Sequence, residues 1–160
     1  MDPRDKVFVT ASALGRALAG PAPPTVLAIR NLDAAAIAGF AASERIAGAV
    51  DVSMPGEMAG PGGGTAGSRP WPAIADLQRD ARRWGLRQGA AVVVYDHDRC
   101  LTAARAWWVL RWAGIADVRL LDGGLTAWQA AGLPIARQSP TPTPGDVTLT
   151  AGHKIGRAHV

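Results

Sequence analysis

The chain lacks the features of a disulfide-linked, secreted, membrane-spanning or metal-dependent protein. Its 160 residues contain one cysteine, so no disulfide can form within the chain. A membrane-spanning helix needs about 18 uninterrupted apolar residues, and no stretch of the chain approaches that length. The first residues, MDPRDKVFVT, lack the apolar core of a signal peptide. Histidine, cysteine and carboxylate residues do not cluster at metal-ligand spacings, so we expect no metal site. These absences favour a cytoplasmic protein that has no contact with a membrane.

The positive charge of the chain does not predict nucleic-acid binding. A formal net charge of +4 arises from 17 basic and 13 acidic residues. The basic residues are scattered, without a basic run and without interleaved aromatic residues. Two of them lie in the last seven residues, KIGRAHV, which resemble a translated sequencing adapter. We therefore predict that residues 154–160 are an artefact and that the native chain continues differently beyond residue 153.

Short apolar runs alternate with helical patterns along most of the chain. This alternation is typical of an α/β domain, in which helices cover both faces of a parallel sheet. Proline and glycine concentrate at 54–72 and 139–145, which predicts a surface loop and a linker. The predicted strands are 7–10, 25–29, 47–53, 91–95 and 118–121, and the predicted helices are 11–19, 31–43, 73–84, 102–113 and 124–131.

The loop at 95–101 is the expected place for chemistry, because ligands of parallel sheets bind at the carboxyl ends of the strands. It contains Cys100, the one cysteine of the chain, near His97 and Arg99. A helix N-terminus and basic neighbours favour a reactive thiolate. A lone cysteine is, however, more often a small, partly buried packing residue, and we favour that interpretation of Cys100. The carboxylate of Asp96 is a candidate cap for the turn that follows it.

Three segments carry a family resemblance: VVVYD at 92–96, AARAWWVLRWAG at 103–114 and VRLLDGGLTAWQAAGLP at 118–134. They resemble the rhodanese-like domain, and in particular the N-terminal domain of tandem thiosulfate and 3-mercaptopyruvate sulfurtransferases. The resemblance implies a three-layer α/β fold over residues 7–137, with a five-stranded parallel sheet and helices on both faces. It also implies that residues 138–153 are a linker toward a second domain missing from this sequence.

The resemblance further implies sulfur-transfer chemistry, but with a departure at the key position. In catalytic members, the nucleophilic cysteine follows directly on a strand, takes sulfane sulfur from a small anionic donor as a persulfide, and needs no cofactor. Here Asp96 stands at that position, as is typical of the non-catalytic N-terminal domain of the tandem enzymes. The partner implied is the second rhodanese-like domain of the same polypeptide. Two alternatives stay open: a stand-alone, catalytically inactive binding module, and a persulfide carrier that depends on Cys100.

Several side chains near the loop are candidate ligands for an anionic donor. Arg105 is alternatively expected to form a structural ion pair with Asp122. Trp108 and Trp112, four residues apart on a predicted helix, are expected to pack in the core or against another domain. The candidate anion-binding residues are Arg30, His97, Arg99 and Arg105.

Overall fold

The computed structural model of the chain describes residues 2–33, 43–61, 70–97 and 100–154. These residues form a five-stranded sheet, helices on both of its faces, and a separate two-stranded ribbon. None of the helices in these ranges has the length and apolar character that a membrane span requires. The strands are β1 (Phe8–Val9), β2 (Thr25–Arg30), β3 (Arg45–Ile46), β4 (Val50–Ser53), β5 (Val92–Tyr95), β6 (Val118–Leu121) and β7 (Ile135–Ala136). The helices are α1 (Pro3–Val7), α2 (Ala11–Leu18), α3 (Met54–Glu57), α4 (Ile74–Arg83), α5 (Leu101–Trp112) and α6 (Gly124–Ala130).

The central sheet has the strand order β1-β6-β5-β2-β4, and every pairing between neighbours is parallel. The five predicted strands and the predicted α/β class are therefore confirmed. Their apolar character follows from the architecture, because strands covered on both faces have no solvent side. Since the strands run in one direction, the loops that follow β2, β4, β5 and β6 lie at one edge of the sheet.

Successive residues of β2 point to opposite faces of the sheet and contribute to two apolar cores. Leu27 packs in the core shared with α4 and α5, where Trp84 is fully buried. Val26 packs in the core shared with α2 and α6, where Trp128 is buried. The result is a three-layer arrangement of helices, sheet and helices.

The structure also contains short elements that the sequence pattern does not indicate. Helix α3 lies within the segment 54–72, predicted as a loop, and begins because the Ser53 hydroxyl accepts a hydrogen bond from a backbone N–H of the turn. Strands β3 and β7 pair antiparallel, with Ile46 opposite Ile135. Helix α1 precedes β1 at the start of the chain. The predicted helix at 31–43 lies largely outside the described residues.

The segment predicted as a linker, 138–153, packs against the domain along its second half. Val147 and Leu149 are buried in the core beside α4 and α5. Backbone N–H groups of this segment donate to carbonyl oxygens at the ends of both helices. A Cβ at Gly145 would lie 1.9 Å from the carbonyl oxygen of Leu86, so only glycine allows this close approach. The packed unit therefore reaches His153 rather than ending near Arg137, and we call residues 145–153 the strap.

Candidate functional site

A cleft of about 440 Å³ opens at the carboxyl-end edge of the sheet, between the loop after β5 and the turn after β6. This is the place where parallel sheets bind their ligands. Among the described residues, its ionisable lining includes Asp96, His97, Cys100 and Asp122. The turn packs closely against the loop, since a Cβ at Gly124 would lie 3.3 Å from the carbonyl oxygen of Asp96.

Asp96 follows β5 directly, and its carboxylate ties the loop to the start of α5. Oδ1 accepts a hydrogen bond of 2.8 Å from the backbone N–H of Cys100, and Oδ2 accepts one of 2.6 Å from that of Ala103. Asp96 is 6% exposed. The first N–H groups of a helix have no partner within the helix and carry partial positive charge, so a carboxylate is stabilised there. The predicted capping role of Asp96 is confirmed.

Cys100 immediately precedes α5 in a left-handed conformation, with φ 72° and ψ 5°. It is the one non-glycine residue with positive φ among those the structure describes. The conformation costs about 1 kcal/mol for a residue with a Cβ. Its side chain is partly exposed, and the residue lines the cleft. The thiol is thus near the cleft, but Asp96 holds the position directly after the strand.

Arg30 and His97 are brought together because they lie at the carboxyl ends of the neighbouring strands β2 and β5. Arg30 Nη1 lies 3.3 Å from Nδ1 and 3.4 Å from Nε2 of the His97 ring. Arg30 is only 8% exposed. Its Nη2 donates to Asp51 Oδ1 at 3.3 Å and to Ser43 Oγ at 3.2 Å. The hydrogen-bond donors of Arg30 are therefore engaged inside the protein.

The sequence pattern did not point to the centre of this polar cluster, the carboxylate of Asp51. Arg45, which has no exposed surface, donates from Nη2 to Asp51 Oδ2 at 2.9 Å and from Nε to Oδ1 at 3.2 Å. Arg30 shares Oδ1 with it. Burying a guanidinium group is costly unless a carboxylate compensates its charge. The signal for Asp51 in the sequence was a single charged residue between the two valines of the strand VDVS at 50–53.

The environment of His97 favours its neutral form. Burial, and then the charge of Arg30, lower the pKa of His97 below its usual 6.5. His97 Nε2 lies 3.3 Å from the carbonyl oxygen of Glu44, so we assign the ring proton to Nε2, which leaves Nδ1 to accept from Arg30. Burial also raises the pKa of Tyr95 to about 12, and its hydroxyl oxygen accepts a hydrogen bond from the N–H of Ile46. Near neutral pH, these rings add no charge to the site.

Arg105 lies apart from the Arg30–His97 pair. Its guanidinium carbon lies 4.7 Å from the centroid of the Trp71 ring, a cation–π arrangement. Asp122, the partner expected for Arg105, instead accepts from Arg4 Nη2 at 3.0 Å, because α1 brings that arginine to the end of β6. Arg99 lies outside the described residues.

Judged by its described lining residues, the cleft lies where a ligand site is expected but does not carry the charges that an anion site needs. Asp96 already accepts from the helix N–H groups that an external anion would need. Asp122 adds a second carboxylate to the lining, and His97 is neutral. Within the described residues, no group of histidine, cysteine and carboxylate side chains is arranged to hold a metal ion.

The sequence of the chain is similar to that of a known protein family. The family described as rhodanese-like domain matches residues 15–131. A Mycobacterium tuberculosis protein named "Putative thiosulfate sulfurtransferase SseB" is 39% identical over 150 residues, which cover 93% of this chain and 53% of that protein. A Pseudomonas aeruginosa protein named "Probable 3-mercaptopyruvate sulfurtransferase" is 49% identical over 84 residues, 52% of this chain and 30% of that protein. The chain thus spans about half the length of the M. tuberculosis protein.

Solved structures show the same fold. SseA from Escherichia coli, described as a 3-mercaptopyruvate sulfotransferase with the rhodanese fold, aligns with a TM-score of 0.74 at 24% identity, covering 91% of this chain and 55% of that one. The 3-mercaptopyruvate sulfurtransferase from Leishmania major aligns with a TM-score of 0.75 at 21% identity, covering 96% and 43%. These likenesses show the fold, and the sequence match over residues 15–131 shows that the chain belongs to the rhodanese-like domain family.

Proposed function

We propose that this chain is the N-terminal, non-catalytic half of a sulfurtransferase. The whole protein moves sulfane sulfur from thiosulfate or 3-mercaptopyruvate to a thiol or cyanide acceptor. Its nucleophile is a cysteine in a second rhodanese-like domain. The names and lengths of the relatives support this proposal, since the chain covers 53% of one of them. A cytoplasmic location is part of the proposal, and the single cysteine is compatible with a reducing compartment.

The observation that carries the proposal is the carboxylate that follows β5. Sulfur transfer from thiosulfate requires a thiolate that attacks the sulfane sulfur. The sulfur–sulfur bond of thiosulfate then breaks, and sulfite leaves with the bonding electron pair. Both the thiolate and the dianionic donor need N–H groups that point at them. In this chain, Asp96 cannot act as the sulfur nucleophile, because it has no thiol. Its negative charge repels anions, and it accepts hydrogen bonds from two of those N–H groups.

The proposed contribution of this half is structural. Ion pairs of Asp51 with the buried Arg30 and Arg45 hold β2, β3 and β4 together, and Arg30 also contacts His97 of the cleft. A rigid edge of this kind is suited to form one wall of a cleft shared with another domain. Binding of the donor then depends on charges that the second domain supplies.

Mass spectrometry of the intact protein after incubation with thiosulfate tests the proposal. The chain alone, with Cys100→Ser as its matched control, should gain no sulfur that cyanide removes. The full protein encoded by the source gene should gain one such sulfur atom, and peptide mapping should place it on a cysteine beyond residue 153.

Two results would contradict the proposal, and each favours a different alternative. A cyanide-labile sulfur on the chain alone, lost in Cys100→Ser, would make Cys100 a persulfide carrier. A reading frame that ends directly after codon 153 would leave a stand-alone, catalytically inactive binding module.

A further inference from the structure

Helix α5 is apolar on two sides, although only one side faces the core. Its core side is buried in the layer between sheet and helices, as Ala106 and Leu110 illustrate. On the opposite side, the spacing of i, i+4, i+7 and i+11 places four residues on one face. We call this face, together with Trp71 packed on it, the α5 stripe. Its members are Leu101, Arg105, Trp108, Trp112 and Trp71.

The α5 stripe collects the exposed large apolar side chains of the described residues. Leu101 is 74% exposed, Trp108 47% and Trp71 42%, and these ranges contain no other large apolar side chain of comparable exposure. Single exposed apolar residues are normal, but their concentration at one place marks an interaction surface. Tryptophan is enriched among the residues that dominate binding energies at interfaces.

Contacts within the α5 stripe hold its aromatic rings in place. Trp71 stacks on Trp112 with ring centroids 4.6 Å apart and an interplanar angle of 15°. Trp108 contacts its neighbour outside the stripe, Trp107, edge to face with ring centroids 6.2 Å apart. The guanidinium group of Arg105 lies over the ring of Trp71. Rings that are already ordered lose little conformational entropy on binding, so this surface is prepared for a partner.

We propose that the α5 stripe is the surface on which the second rhodanese-like domain docks. The inference rests on the proposed function and adds the location of the contact. Two placements support this occupant over others. The strap runs to the carboxyl end of α5, where the N–H of His153 donates to the carbonyl oxygen of Trp112 at 3.0 Å. In a protein of the relatives' length, the polypeptide after residue 154 therefore starts beside the α5 stripe.

The other end of the α5 stripe lies at the cleft. Leu101 follows Cys100, which lines the cleft, and both lie at the amino end of α5. A domain seated along the α5 stripe would therefore extend from the end of the strap to the mouth of the cleft. In this position the second domain would cover the edge of the sheet at which the cleft opens. The carboxylate of Asp96 disfavours an anion there unless the second domain supplies positive charge.

Hydroxyl-radical footprinting of the full protein encoded by the source gene, beside the 160-residue chain, tests the inference. Radicals oxidise exposed tryptophan and leucine, and mass spectrometry gives a rate for each residue. Trp108 and Leu101 should be oxidised several-fold more slowly in the full protein than in the chain. Leu18 and Leu133, partly buried on the opposite face of the sheet, are the reference sites whose rates should agree.

A pair of variants of the full protein provides the control. Trp108→Lys places a charge in the α5 stripe and should restore rapid oxidation of Leu101. Ala130→Lys places the same charge on an exposed position of α6, on the other side of the sheet, and should leave Leu101 protected.

Three results would overturn the inference, and they are distinguishable from one another. If the second domain carries the labile sulfur while Trp108 and Leu101 stay as reactive as in the chain, docking occurs elsewhere and the proposed function stands. If the α5 stripe of the chain alone becomes protected as its concentration rises, with a dimer mass, the occupant is a second copy. If the gene encodes no second domain, both proposals fail together.

Discussion

The Oδ1 atom of Asp96 accepts a hydrogen bond from the backbone N–H of Cys100, four residues later in the loop. The side chain of Asp96 is thus linked to the backbone of the one cysteine-bearing position in this loop. Cys100 makes this bond while its backbone is in the left-handed conformation. The position directly after β5 is held by Asp96, which caps the helix, and Cys100 comes four residues later.

Asp96→Ala should lower the free energy of unfolding by about 1–2 kcal/mol, because two helix N–H groups lose their buried acceptor. Urea unfolding followed by tryptophan fluorescence measures the change. Asp76→Ala, which removes a carboxylate with 64% exposure at the start of α4, is the matched control and should change little. An Asp96→Ala midpoint equal to that of the control would contradict the capping role.

Cys100→Gly should be more stable than Cys100→Ala by about 1 kcal/mol, because glycine adopts positive φ without a steric penalty. The thermal midpoints of the two variants provide the comparison. Ala104→Gly, three residues into the ordinary backbone of α5, should show the opposite sign and lose about 1 kcal/mol. Equal stabilities of Cys100→Gly and Cys100→Ala would mean that the loop does not hold the left-handed conformation in solution.

Stability should fall as the pH drops below 6.5, partly because of His97. Its folded pKa is lowered by burial and by Arg30, so the unfolded chain binds the proton more readily. The contribution is fully present above the unfolded pKa and is lost as the pH falls toward the folded one. Unfolding midpoints of His97→Gln should depend less steeply on pH in this range. His153→Gln is the control, and a wild-type slope in both variants would refute the assignment.

Gly145→Ala should lower the free energy of unfolding by more than about 2 kcal/mol, since the new Cβ forces the strap, with Val147 and Leu149, away from the core. Chemical denaturation measures the loss. Gly20→Ala is the control, because its Cβ would meet the nearest carbonyl oxygen at an ordinary 3.4 Å. If both variants unfold alike, the strap is not part of the stable unit.

Apolar patterning was sufficient to predict the central sheet and the helices α2, α4, α5 and α6. It was insufficient for β3 and β7, since strands of two residues have no measurable periodicity. Their pairing brings Ile46 against Ile135 from distant parts of the chain. Residues 138–153 were predicted as a linker because their first half is rich in proline, whereas only the burial of Val147 and Leu149 shows that the second half, the strap, packs on the domain.

Residues of the candidate site could be placed from the sequence where they lie at the ends of neighbouring strands. They could not be placed where contacts between distant segments decide their position. Arg30 and His97 meet because β2 and β5 are neighbours in the sheet. Arg105 lies on the outer side of α5 and therefore contacts Trp71. Its closeness to the loop in the sequence does not reveal this contact. The pairing of Arg45 with Asp51 could not be predicted, because Arg45 lies on β3, which pairs with β7 and is not part of the central sheet.

The pairing of β1 with β6 sets the order in which the molecule can assemble. Phe8 lies beside Leu120 in the sheet, so β1, the first strand of this sheet along the chain, has to wait until β6, the last, has been synthesised. Until then β1 has no strand on which to form, and the early chain exposes apolar surface. We therefore expect that a transcript cut before codon 121 yields a chain without a completed sheet.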